Sequence, residues 1–161
     1  MGLDVHQFRQ FAVKPALTFL GVAYSSPAAE NLLVGTALME SNLVYLQQLG
    51  SGPARGVYQI EPATHEDLYA HWFPAHWDLK LRVESLLSAW PTRGEQLRTN
   101  LLYATAICRL IYFRNPMPLP TADDIDGLAA VWKAVYNTPL GAGDPAEWAA
   151  RYRAHHPVPV A

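Results

Sequence analysis

The sequence predicts an all-α protein with one hydrophobic core and, at most, one small β-hairpin. The chain has 161 residues, which suits a single domain over 1–161, and its composition is that of a globular protein, with 50% hydrophobic and 16% charged residues. Apolar residues recur at helical spacing along most of the chain. Capping residues and prolines separate these runs, as they do at the ends of helices.

The N-terminal third contains two predicted helices. The first covers residues 4–20 and is kinked or split at Pro15, because proline removes a backbone donor from a helix. The second begins after the N-cap Ser26 and is expected to run to about Leu49, where a Gly-rich segment ends it. The β-forming segment GVYQI, 56–60, is too short for a helix and predicts an extended stretch or part of a small hairpin.

The rest of the chain also reads as helical. Its one cysteine, Cys108, excludes an internal disulfide and lies among apolar residues, which predicts a buried, unreactive thiol. Thr121 is the expected cap of the helix that follows the Pro-rich connector NPMPLP. The final HHPVPVA is predicted to be a loose tail. These further helices are predicted over 62–73, 78–89, 95–114, 121–137 and 144–154.

The net charge and the absence of targeting signals limit the classes of partner that the sequence predicts. The net charge is −2 and no Lys/Arg run exists, so no nucleic-acid partner is expected. The N-terminus has no apolar segment behind a basic start, and no apolar run approaches about 18 residues. We therefore expect no signal peptide, no membrane insertion and synthesis in a cytoplasm.

Glu40 is the only charged residue in the stretch 31–54. On a continuous helix it would share a face with Leu33, Ala37 and Val44, so the carboxyl group is expected to be at least partly buried. A buried carboxylate either acquires a raised pKa or finds a cationic partner. With a pKa of about 6 to 7 it could act as a general acid. The alternative is a structural ion pair with one of the arginines Arg55, Arg98 and Arg109.

Two downstream segments add to the pattern of Glu40-Ser41: Gly-Val-Tyr-Gln-Ile at 56–60 and Ala-Val-Tyr-Asn at 134–137. In this order they resemble the three signatures of the soluble lytic transglycosylase and goose-type lysozyme superfamily. The sequence also resembles small proteins encoded by tailed bacteriophages. It departs from the family pattern at Tyr58, where methionine is common, and by one residue inserted before Tyr136.

The resemblance implies a lysozyme-like fold and cleavage of the β-1,4 bond between N-acetylmuramic acid and N-acetylglucosamine in peptidoglycan. Glu40 would be the general acid and then the base. The reaction is either a lytic transglycosylation or, as in a muramidase, a hydrolysis. A transglycosylase needs no second carboxylate if the substrate's N-acetyl group assists, whereas Glu61 or Asp67 could supply one for direct hydrolysis. Glu61 could instead cap the helix that Pro62 opens.

The resemblance also implies roles for residues around the acid. Gly56 would let the backbone approach the sugar, Gln59 would hydrogen-bond an N-acetyl or hydroxyl group, and Tyr136 would donate its hydroxyl to the acid. The alternatives are core positions for the tyrosines and a helix C-cap for the asparagine. The remaining candidates are Ser41, to support the acid or contact substrate, Tyr58, at the floor of the groove, and Asn137, to orient the Tyr136 network.

Other patterns predict no cofactor and no metal. The segment HEDLYAH, 65–71, does not fit the zinc motif His-Glu-x-x-His because Tyr69 stands at the second histidine position. The loop GSGPARG lacks the Lys-Ser/Thr pair of a phosphate-binding loop.

Three functions remain open at this stage. The first is an enzyme whose partners are peptidoglycan glycan strands and phage virion proteins, acting at the bacterial cell wall. The second is a non-enzymatic structural or assembly protein of a phage particle that retains a lysozyme-like fold. The third is a cell-wall-binding module without chemistry. A groove open at Glu40 favours the enzyme, and a plugged one favours the structural protein.

Overall fold

The predicted all-α fold is confirmed in a computed structural model that describes residues 2–156. Helices make up most of this part of the chain, and β-structure is limited to isolated bridges around residues 47–60. The α-helices are α1 Val5–Phe8, α2 Lys14–Leu20, α3 Pro27–Ser41, α4 Pro62–Asp67, α5 Trp77–Glu84, α6 Gln96–Thr99, α7 Leu101–Phe113, α8 Ile125–Val131 and α9 Pro145–His155.

Three π-helical turns lengthen these helices. Arg9–Val13 joins α1 to α2, Leu68–Trp72 extends α4, and Trp132–Asn137 extends α8. The predicted interruption at Pro15 takes the form of this first wide turn, so the chain stays helical through the proline. Short 3₁₀ turns cover Val22–Tyr24 and Phe73–Ala75.

The helix α3 begins as predicted and ends earlier than predicted. Ser26 Oγ accepts a hydrogen bond from the Ala29 N–H at 3.1 Å, as an N-cap should. The expected end near Leu49 is wrong, because the helix stops at Ser41 and Asn42 takes the left-handed conformation with φ 51° and ψ 27°. Val44 therefore does not share a helical face with Glu40, and it is 41% exposed.

The segment 56–60 forms a small hairpin rather than an extended strand. Arg55 and Ile60 exchange both backbone hydrogen bonds, at 3.0 and 2.9 Å, around the turn between them. Gln47 pairs with Arg55 on the other side. This hairpin places its turn beside the end of α3, where Glu40 lies.

Three later helix boundaries differ from prediction. The helix expected to reach residue 89 ends at Glu84. The run 95–114 is divided at Asn100, whose side chain caps α7 by accepting from the Tyr103 N–H at 3.0 Å. Asp124, not Thr121, caps α8. Most of the predicted C-terminal tail lies outside the described residues.

The core is centred on α3 and α7, which are buried along most of their length. Helix α9 packs closely on α3, and Gly35 makes this possible, since a Cβ there would lie 2.0 Å from the Trp148 ring. Cys108 is fully buried on α7, as predicted, and burial raises the pKa of its thiol. Between residues 2 and 156, no helix is both long and apolar enough to cross a membrane.

Candidate active site

Glu40 lies in the last turn of α3, with its side chain partly buried. Its carboxyl oxygen Oε1 accepts a hydrogen bond from the Trp132 indole Nε1–H at 2.9 Å. Burial raises the pKa of Glu40 from 4.5 to about 7, and the Trp132 hydrogen bond opposes part of this rise. Near pH 7 the Glu40 side chain can therefore exist both as the neutral acid and as the carboxylate.

The three arginines considered as structural partners of Glu40 do not pair with it. Arg55 and Arg98 both form ion pairs with Glu95. The Arg109 Nε donates to a backbone carbonyl at 2.7 Å. In the part of the chain that the structure describes, Glu40 has no ion-pair partner within 4.0 Å. The structural ion pair is therefore excluded for these three arginines.

Two adjoining cavities border Glu40. One has a volume of about 410 Å³ and the other about 520 Å³. Glu40, Gln59 and Glu61 line both of them. We call the combined depression the Glu40 groove. It is open to solvent at Glu40 and is not plugged by neighbouring side chains of the described chain.

The two halves of the groove have different walls. The half beside the end of α3 includes Tyr45 and Arg151. The other half includes Arg114, Tyr136 and Asn137. Aromatic, amide and charged side chains therefore border the acid on both sides, a mixture suited to sugar rings with hydroxyl and N-acetyl groups.

Gln59, a predicted substrate-binding residue, lies in the hairpin turn at the groove. It lines both halves of the groove and has an unusual positive φ of 48°. Its side-chain Nε2 donates to the Gly56 carbonyl at 2.8 Å, which fixes the amide within its own turn.

Ser41 follows the acid in the chain, and its hydroxyl group is directed into the fold. It is 3% exposed, and its hydroxyl donates to the Val57 carbonyl at 2.7 Å. The same oxygen accepts from the Leu43 N–H at 3.2 Å. These hydrogen bonds join the end of α3 to the hairpin turn, and Glu40 and Gln59 thus border the same groove.

The predicted sugar contact of Gly56 is wrong. Gly56 is buried, and its φ of 74° favours glycine. A Cβ at this position would lie 1.9 Å from the Leu97 carbonyl oxygen. The glycine is therefore required by the turn and by the close approach of the Leu97 backbone.

Tyr58 is a core residue rather than the groove floor. Its side chain is fully buried, and its hydroxyl lies 3.1 Å from Thr105 Oγ1 on α7. The substrate-binding assignment is wrong because the turn directs this ring into the core.

Tyr136 lies in the groove wall, but it does not hold Glu40. Its hydroxyl donates to the Tyr58 backbone carbonyl at 2.7 Å, and its ring stacks on Tyr112 with centroids 5.3 Å apart. The predicted hydrogen bond to the acid is wrong since the hydroxyl is directed to the hairpin turn. Tyr136 instead ties the turn to the π-helical segment.

Asn137 orders the loop that follows it. Its Oδ1 accepts from Lys133 Nζ at 2.8 Å and from the Gly143 N–H at 3.2 Å. It borders the groove, but these contacts fix the loop 138–143 and not a network with Glu40. Its predicted orienting role on the tyrosine is therefore replaced by one on the groove rim.

Of the two candidate second carboxylates, only Glu61 reaches the groove lining. Its side chain is exposed and makes no capping hydrogen bond to α4. Asp67 pairs with Arg114 at 2.6 Å and His71 at 2.8 Å and is absent from the residues that line either cavity. Of the two, Glu61 is therefore the carboxylate that could assist a direct hydrolysis.

Trp132 is the site residue that the sequence analysis missed. It is separated from Glu40 by 92 positions, and a tryptophan in an apolar helix ordinarily indicates core packing. Its position four residues before Tyr136 places both on one helical face, and this spacing is the signal that could have identified it. Arg114 and Arg151 were also not predicted as groove residues.

Unusual backbone conformations concentrate around the groove. Four residues other than glycine have positive φ in the described part of the chain, and three of them, Asn42, Gln59 and Thr138, line the groove. Thr138 has φ 66° and ψ 158°, a region that β-branched residues rarely occupy. Such conformations persist at sites that the surrounding structure holds in place.

Among residues 2–156, no group of three or more His, Cys, Asp or Glu side chains is placed to hold a metal ion. Comparison of the chain with protein-family models, with curated proteins and with solved structures found no match.

Proposed function

We propose that this protein cleaves the glycan strand of peptidoglycan at the β-1,4 bond between N-acetylmuramic acid and N-acetylglucosamine, with Glu40 as the acid. The observation that carries the proposal is the state of Glu40: a partly buried carboxyl group with a pKa near 7, bordering an open groove and paired with no cation in the described structure. The order of the Glu-Ser, Gly-x-x-Gln and Tyr-Asn segments supports the same reaction.

In the first step, protonated Glu40 gives its proton to the glycosidic oxygen as the bond from that oxygen to the muramoyl C1 breaks. The electron pair leaves with the oxygen, which becomes the free 4-hydroxyl of the departing sugar. The substrate's own N-acetyl carbonyl oxygen shares the positive charge that develops at C1. A neutral acid near pH 7 is required for this step, and the raised pKa of Glu40 supplies it.

In the second step, the Glu40 carboxylate acts as a base. It takes the proton from the muramoyl 6-hydroxyl, whose oxygen bonds to C1 and closes a 1,6-anhydro ring. If water is the nucleophile instead, the same carboxylate takes a proton from water and a reducing end forms. Glu61 lies where it could assist the water reaction, whereas the anhydro route needs no second carboxylate.

The test compares wild type with Glu40→Gln on purified peptidoglycan, with mass spectrometry of the soluble muropeptides. Glutamine keeps the size and the Trp132 hydrogen bond but cannot donate the proton, so the rate is expected to fall about 10²–10⁴-fold. Anhydro and reducing products differ by the mass of one water. Equal activity in both proteins, or none in either, contradicts the proposal.

Glu61→Gln is the matched control, because it makes the same change at an exposed carboxylate in the same groove. Anhydro products with Glu61→Gln close to wild type would identify a transglycosylase. Reducing products that depend on Glu61 would identify a hydrolase.

The alternative function is that of a structural or assembly protein of a phage particle. It predicts no turnover by wild type and stable association with virion proteins in particles. Glycan binding that survives Glu40→Gln without turnover would instead indicate a cell-wall-binding module.

A further inference from the structure

We infer that Trp132 is a positioning residue for Glu40, and that its indole N–H fixes the carboxyl group so that the transferable proton sits on Oε2. The catalytic meaning of this inference rests on the proposed function. The hydrogen bond between the indole and the acid is a property of the folded protein, and it can be tested without any substrate.

The chemistry of the contact sets the position of the proton. The Trp132 Nε1 lies 2.9 Å from Glu40 Oε1. An indole N–H is a donor only and cannot accept a proton. A neutral carboxyl group has one carbonyl oxygen and one hydroxyl oxygen, and an N–H donor pairs with the carbonyl oxygen. When Glu40 is protonated, Oε1 is therefore the carbonyl oxygen and Oε2 carries the proton.

The indole itself is held in place by close packing. Trp132 is 1% exposed, and its ring packs so closely on Gly143 that a Cβ there would lie 2.4 Å from the ring atom Cη2. Within residues 2–156, this indole is the one side chain that hydrogen-bonds to Glu40. A rigid donor with one acceptor fixes the orientation of the carboxyl plane.

An uncharged donor suits a group that must act first as acid and then as base. The indole N–H binds both protonation states of Glu40, and it binds the carboxylate more strongly. An arginine in its place would lower the pKa of the acid and leave it ionised before the reaction begins. A tyrosine hydroxyl at this position could also accept a hydrogen bond, so it could pair with either oxygen of the neutral carboxyl group.

Other titratable or charged groups also face the region of Glu40, and one of them, Glu61, serves as a control in the test. Burial raises the pKa of Cys108, Tyr112 and Tyr136 well above the ordinary values, so these groups stay neutral near pH 7. The remaining groups border the groove and are Tyr45, Glu61, Arg114 and Arg151.

The first experiment uses the indole resonance of Trp132 in two-dimensional ¹H–¹⁵N NMR. In wild type, this resonance is expected to shift with pH with the same midpoint as the Glu40 carboxyl carbon. The shift should be absent in Glu40→Gln and unchanged in Glu61→Gln. An indole resonance that does not titrate with Glu40 overturns the inference, and this measurement needs no tryptophan variant.

The second experiment removes the donor with Trp132→Phe. Loss of a hydrogen bond to a charged group is expected to raise the Glu40 midpoint by about one to two pH units. The fall of glycan cleavage at alkaline pH should move upward by the same amount, because the acid then stays protonated to higher pH. An unchanged Glu40 midpoint in the folded variant contradicts the inference.

Trp148→Phe is the matched control. Trp148 is also a fully buried tryptophan packed on α3, but its Nε1 has no hydrogen-bond partner among the described residues. This variant loses a comparable ring without touching Glu40, so its Glu40 midpoint should equal that of wild type. If the midpoint moves only in Trp132→Phe while peptidoglycan is not cleaved, the proposed function fails and the inference stands.

Discussion

Replacing Glu40 with glutamine is expected to stabilise the fold at alkaline pH and to leave its stability almost unchanged in acid. The cause is the buried carboxyl group, whose pKa is about 7 in the folded protein and 4.5 in the reference state. Between these values the folded state binds more protons than the unfolded state. The contribution of Glu40 to stability is therefore fully present below about pH 4.5 and is lost as pH rises toward about 7.

The magnitude follows from these two pKa values. Each unit of pKa difference corresponds to about 1.4 kcal/mol, so the interval from 4.5 to about 7 gives about 3 kcal/mol. Glutamine has no charge to desolvate, and it can still accept the Trp132 N–H through its amide oxygen. The advantage of Glu40→Gln over wild type in free energy of unfolding should therefore grow by about 3 kcal/mol between about pH 4 and pH 8.

Urea unfolding at both pH values, followed by circular dichroism, measures this difference. Comparing the two proteins at each pH removes the pH dependence that comes from all other groups. Glu61→Gln serves as a control, and its exposed side chain should give a much smaller change. A growth of less than about 1 kcal/mol for Glu40→Gln would mean that the carboxyl group is not held away from water, and the reasoning would fail.

Three further predictions concern the frame of the site. Gly56→Ala should destabilise the fold far more than Gly50→Ala. Both glycines have positive φ, but only at Gly56 would the new methyl group lie 1.9 Å from a backbone oxygen. Thermal unfolding of the two variants measures the difference, and equal losses of stability would refute the prediction. Tyr136→Phe should cost about 1 kcal/mol in urea unfolding by freeing the Tyr58 carbonyl, and no loss would contradict the observed bond. Cys108 should resist thiol reagents until the protein unfolds, so rapid native labelling would show that it is accessible.

The partial burial of Glu40 was predictable, because the residue is an isolated charge within a run of apolar residues at helical spacing. The helix start at Ser26 was equally accessible, since capping depends on neighbouring residues. The end of α3, in contrast, could not be predicted from the sequence. Leu43 and the apolar residues after it continue a helix-like composition, and an asparagine, although it can adopt the left-handed conformation that ends a helix, does not by itself mark the end.

The contacts around the acid could not be predicted for a related reason. Whether the Tyr136 hydroxyl points to Glu40 or to the Tyr58 carbonyl depends on how a π-helical turn rotates the ring. Trp132, at the start of the same segment, is the residue whose side chain reaches the acid. Spacing along the chain identifies the face of a helix, but the partner of each polar atom is decided by packing between distant segments.

The hydrogen bond from Ser41 to the hairpin turn has a consequence for where this chain can vary in length. The Ser41 hydroxyl joins the end of α3 directly to the Val57 carbonyl. The placement of Glu40 relative to Gln59 therefore does not depend on the length of the loop between α3 and the hairpin. Within this loop, the Gln48 N–H donates a hydrogen bond to the Ala54 carbonyl at 3.1 Å. Residues 49–53 form the tip of the loop and are mostly exposed. Residues inserted at this tip would extend one end of the groove without moving the acid. The rim of the groove can therefore change in length without a change in the placement of Glu40, and the tip is where a longer loop could be inserted.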